Sequence, residues 1–149
     1  MLSKALIATL IFLVALALQI RLGNAFGGIL DLALLTLVIA AFFVKLEVLL
    51  FLIALGVLIL NWQPAASTEL ALFVGIPLFV FFFRQALPWQ TWLNAMVSAL
   101  GAIAAFYLFS SPSFVFENGA FVLWIGLLDI VFGFFLFSLF NYFHGEEAR

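Results

Sequence analysis

The chain has no cysteine, one histidine, four prolines, and only five basic and seven acidic residues in 149 positions. Without cysteine there is no disulfide, no thiolate metal site and no cysteine nucleophile. A single histidine, His144, rules out a histidine metal cluster within one chain. It also leaves serine only one potential base, in a tail that reads as exposed. No phosphate-binding Gly-Lys loop and no H-E-x-x-H occurs, so no cofactor or metal is expected. The net charge of -2 and the lack of a basic tract argue against nucleic acid as a partner. These absences point away from an enzyme. What remains is hydrocarbon: 68% of residues are hydrophobic and 8% charged, where a soluble domain carries about 45–50% and about 25%. A soluble fold of this composition would leave too much apolar surface in water.

The charges and prolines gather at a few breaks. Lys45 and Glu47 divide the apolar stretch from Gly27 to Trp62 where a turn would have to lie. A hydrocarbon core of about 30 Å takes roughly 20 helical residues. Lipid offers the backbone no partners, so helices are the default, and the alternation of a barrel is missing. The pattern predicts an all-α polytopic membrane protein with one transmembrane domain over residues 1–149. Six helices are expected at about 5–20, 27–44, 47–62, 70–83, 92–111 and 119–143, in one compact bundle. Arg84 can extend the short fourth helix by snorkelling. Trp62, Trp89, Trp92 and Tyr142 fall near predicted ends, as interfacial aromatics should, and Trp124 does not. With both termini cytoplasmic, Lys4, Lys45, Arg84 and Arg149 lie inside and Arg21 alone outside, in keeping with the positive-inside rule. The first segment could also be read as a signal peptide, with Lys4 as its charged start and Gly23-Asn24-Ala25 as a small-residue cut site. The length of the apolar run and the closeness of Arg21 speak against cleavage. The 21 phenylalanines, dense over 79–83 and 132–140, read as lipid-facing bulk and interhelix packing.

Few residues could carry chemistry. Asp129 falls near the middle of the sixth segment, hence near the bilayer midplane, where a charged Asp costs about 2.5–3.5 kcal/mol. It should face protein, find a donor, or be protonated. Gly119, Gly126 and Gly133 recur every seven residues, and Asp129 stands one turn from both Gly126 and Gly133. Small residues let helices approach closely, so this stripe predicts a tight helix partner. Asp31 opens the second segment, where it can stabilise a helix start or pair with Arg21. Its expected depth differs from that of Asp129, which argues against a carboxylate dyad. Asn94, Ser98, Gly101 and Ala105 share a helical face that could hydrogen-bond Asp129 or its helix, and Gln19 offers a similar donor. Gly75-Ile-Pro77 is expected to kink the fourth segment.

The layout resembles the MreD family of bacterial rod-shape-determining membrane proteins. The length, six segments, inside termini and minimal loops carry the likeness, with Asp31-Leu-Ala-Leu-Leu35 as its closest local match. Family members often open that helix with Pro-Asp, and Leu30 stands here in place of the proline. They often carry an acid a few residues after a glycine late in the third segment; Gly56 and Asn61 are found here. The resemblance implies a non-enzymatic scaffold in the bacterial inner membrane. Its partners would be lipid, MreC-like proteins, the actin-like MreB, and the RodA and penicillin-binding synthases of wall elongation. Six short helices are also similar to the substrate-binding subunits of energy-coupling-factor transporters, which would make the chain a small-solute-binding subunit. The Ala-x-x-x-Ala docking spacing of that family is absent: Ala5, Ala8 and Ala15 are followed by Thr9, Phe12 and Gln19.

Overall fold

With apolar side chains at nearly every position and no water to compete, each run closes its own backbone hydrogen bonds. In the computed structural model, which describes residues 2–23, 31–60 and 67–144, these runs form α1 (Leu2–Gly23), α2 (Leu32–Ala40), α3 (Leu46–Ile59), α4 (Thr68–Phe83), α5 (Thr91–Ser110), α6 (Pro112–Glu117) and α7 (Gly119–His144). A 3-10 turn over Arg84–Ala86 follows α4. No strand occurs among the described residues.

Four helices are long and apolar enough to cross a membrane: α1, α4 with its 3-10 turn, α5 and α7. Six crossings are expected from the sequence; among the described residues four helices reach bilayer length, and α2 and α3 fall short of it. The nine residues of α2 rise about 14 Å, and the fourteen of α3 about 21 Å. After α2 the backbone tightens: Phe42 N–H bonds the Ile39 carbonyl at 3.1 Å and Phe43 N–H bonds Ala40 at 2.8 Å. The expected segment starts at 27 and end at 62, Trp62, Gln63-Pro64, the Asn24-Ala25 pair and Arg149 lie outside the described residues. The break expected between the last two segments contains α6, started by Pro112 in its first turn, where the missing N–H costs nothing.

Contacts fix the chain direction. Gln19, late in α1, meets Ala33 at the start of α2. Arg84, just past α4, meets Ala41 at the end of α2. Phe43 stacks on Phe140 near the end of α7, with centroids 5.8 Å apart. Trp92 stacks on Phe134, which sets the start of α5 beside the second half of α7. Therefore α2, α4 and α7 run one way, and α1 and α5 the other. His144 Nε2 lies 3.0 Å from the Lys4 carbonyl, so the last helix ends where the first begins.

The core is built around α2. All nine of its residues are buried, as a helix apolar on every side requires. Around it α1 turns inward Ala8, Phe12, Ala15 and Leu16; α5 turns inward Ala95, Ala99 and Ala102; α7 turns inward Ile125, Gly133, Leu136 and Phe140. The outward faces carry the bulk expected of a lipid boundary, including Leu58, Phe82, Leu123, Phe135 and Trp124. Of the two dense phenylalanine runs, Phe79, Phe82 and Phe83 face out, and Phe140 is buried. Pro77 is buried inside α4, and the helix runs on through it to Phe83.

Candidate functional site

A helix buried on all sides has no water for its terminal groups, so other side chains must supply partners. At the start of α2 the Asp31 carboxylate accepts the Leu34 N–H at 3.4 Å. Gln19 Oε1 accepts the Ala33 N–H at 2.7 Å. Gln19 is also in hydrogen-bond reach of the Asp31 carboxyl. Arg21, the partner considered for Asp31, is exposed. Within the helix the Thr36 hydroxyl donates to the Leu32 carbonyl at 2.6 Å. At the far end the Arg84 guanidinium donates to the Ala41 carbonyl and rests 4.3 Å over the Phe81 ring. Arg84 therefore turns inward onto α2, where the sequence suggested snorkelling. The acid at the N-terminus and the cation at the C-terminus both match the helix dipole.

Asp129 is not satisfied in this way. It is 2% exposed on the inner face of α7, and neither carboxyl oxygen has a hydrogen-bond partner among the described residues. Asp31 and Asp129 are close enough for their charges to interact, and Tyr107 on α5 feels both. The depth difference expected between the two acids does not separate them electrostatically, although no hydrogen bond joins them. Glu69, in the first turn of α4, acts on Asp31 from the exposed end of the bundle. The structure therefore gathers Gln19, Asp31, Tyr107 and Asp129 around the start of α2, drawing on four helices.

Asn94 and Ser98 do not join them. Asn94 sits at the opposite end, where its Nδ2 donates to the Trp89 carbonyl at 2.8 Å and to Leu87 at 3.4 Å. Its Oδ1 is buried without a partner among the described residues. The inward face of α5 is the alanine stripe, so Ser98 is only half-buried and Gly101 is exposed. The glycine stripe of α7 divides as well. A Cβ added to Gly133 would stand 3.5 Å from Met96 Sδ and 3.9 Å from Ile39 Cδ1, a close helix contact. One added at Gly119 or Gly126 would meet nothing within 4 Å. Gly126 instead borders a groove of about 300 Å³ between α5, α6 and the start of α7, with Tyr107 and Ile125 also in its wall.

Two residues take packing roles that the sequence reading did not give them. Gly56 on α3 is the tightest crossing: an added Cβ would stand 3.0 Å from Cζ of both Phe12 and Phe73. His144 is not in an exposed tail. It is 2% exposed, lies 5.7 Å from the Phe140 ring, and faces the Lys4 carbonyl. Only the apolar run reaching Phe143 hinted that α7 extends so far. No family model, curated protein or solved structure matches the chain.

Proposed function

We propose that the chain is a non-enzymatic scaffold of the bacterial inner membrane, six segments deep with both ends cytoplasmic, supporting the cell-shape and peptidoglycan-elongation machinery through helix–helix contacts. The resemblance of its layout to the MreD family supports this reading, as does the placing of basic residues. The observation that carries it is an entirely apolar groove of about 410 Å³ along α1 and α7, walled by Leu10, Val14, Leu18, Phe132, Phe135 and Phe143. Its length along two helices and its lack of polar lining suit the side of a partner's transmembrane helix. Photo-crosslinkers at Leu10, Val14 and Phe135, with one at the exposed Leu58 of α3 as control, test it in mild detergent. Capture of an MreC-like or wall-synthesis membrane protein from the groove positions, but not from Leu58, is the expected result. Capture of lipid alone at all positions rejects the scaffold reading.

The polar group around Asp129 favours a second reading, a small-solute-binding subunit of a transporter. A solute that raises the melting temperature of the purified chain, and loses that effect in Asp129→Asn, would select it over the scaffold.

A further inference from the structure

Asp129 combines two properties. It is almost wholly enclosed, and its two oxygens meet no donor among the described residues. Four other polar groups of the bundle are engaged elsewhere. Gln19 and Asp31 are committed to the amides that open α2, so the positive end of that helix is compensated by Asp31 and not by Asp129. Arg84 is held at the other end of α2, and His144 at the end of α7, against Lys4. The groups that do face Asp129 are acidic or phenolic: Asp31 from the start of α2 and Tyr107 from α5. Glu69, exposed on α4, extends the negative charge from Asp31 to the surface. Acidic neighbours around a carboxyl without a donor lower the potential for a cation there.

We propose that Asp129, with Asp31 as its entry-side neighbour, is an intramembrane site for one monovalent cation, a proton or a sodium ion, reached from the Glu69 end of the bundle. The charge of one such ion neutralises the enclosed carboxylate. No group of three or more acidic or histidine side chains stands among the described residues, so the negative charge that a multivalent ion requires is missing. Uptake at this site goes beyond the scaffold reading and does not depend on it: the groove between α1 and α7 lies on the outer face of α7, and partner capture there is a separate measurement.

The test uses the full chain, purified and returned to lipid vesicles, as wild type, Asp129→Asn and Asp31→Asn. The infrared carbonyl band of protonated carboxyl groups is followed against pH. Separately, the melting temperature is read in sodium chloride and in choline chloride at one pH and one ionic strength. A titrating carboxyl band absent from Asp129→Asn identifies the proton. A melting temperature raised by sodium but not by choline, with the rise lost in Asp129→Asn, identifies sodium. In either case Asp31→Asn shifts the midpoint of the response without abolishing it. The proposal is overturned if wild type shows neither response, or if the response persists in Asp129→Asn. Should that variant fail to fold, an unshifted midpoint in Asp31→Asn overturns it equally.

Discussion

Gly56 has no side chain because Phe12 and Phe73 already occupy the place where one would stand. The two rings close over its backbone from α1 and α4, and each is fully buried. A methyl group there must push two enclosed rings. Gly56→Ala is therefore expected to cost about 1–3 kcal/mol, the usual penalty of overfilling a packed core, read by reversible unfolding in mixed micelles. Gly126→Ala, which meets nothing, should change stability by less than about 0.5 kcal/mol. Equal effects at the two sites would refute the packing described for α3. Asp129 lends itself to a different measurement. In a membrane-insertion assay of α7 by itself, Asp129→Leu should improve the apparent insertion free energy by about 3 kcal/mol. An unchanged value would mean that Asp129 lies away from the bilayer centre. Asp129 was legible from sequence because a lone acid inside an apolar run has no ordinary explanation. Burial of His144 was not, because it depends on Lys4, 140 positions earlier.

At the scale of elements, α2 explains most of what pattern reading could not supply. Leu32–Ala40 is apolar at eight positions and carries a threonine that bonds its own backbone. Such a run has no polar face from which to read an orientation, and it looks the same as a lipid-facing span. Only the assembled bundle shows it to be central. The same limitation rotated the expected face of α5. Asn94, Ser98, Gly101 and Ala105 form a polar stripe, but in lipid the inward face is chosen by close approach, and the alanines at 95, 99 and 102 allow it. The importance of α2 makes its end groups measurable. Gln19→Leu strips the Ala33 N–H of its acceptor, and an unsatisfied buried group costs about 1–3 kcal/mol. Arg84→Met removes a charged donor from the Ala41 carbonyl at the opposite end and should cost a similar amount, with Arg84→Lys recovering part of it. The two sites share no partner, so Gln19→Leu and Arg84→Met should add. Hydrogen exchange should quicken first at Ala33 in the former variant. If neither variant alters exchange in α2, its ends are held by something other than these side chains.

For the whole molecule, the alternating directions of α1, α2, α4, α5 and α7 sort the chain's polar residues onto two ends. Glu47 and Gln85 are exposed at the end where α2 and α4 finish, and His144 meets Lys4 there as well. Arg21, Glu69 and Glu117 are exposed at the other, near the start of α2 and around α6. This division was largely legible in the sequence, because charges are expelled from apolar runs to their ends whatever the internal packing. The length of α2 was not, because a buried helix need not match the bilayer. Since the chain has no cysteine of its own, single cysteines report position without background. With a membrane-impermeant maleimide on intact bacterial cells, cysteines replacing Arg21, Glu69 and Glu117 should react at once. Those replacing Glu47 and Gln85 should react only after the membrane is opened. The reverse assignment of both sets would keep the bundle and invert its orientation against the positive-inside rule. Mixed reactivity within either set is the outcome the fold does not survive, because Arg84 and Ala41, or Gln19 and Ala33, could not then meet across a bilayer.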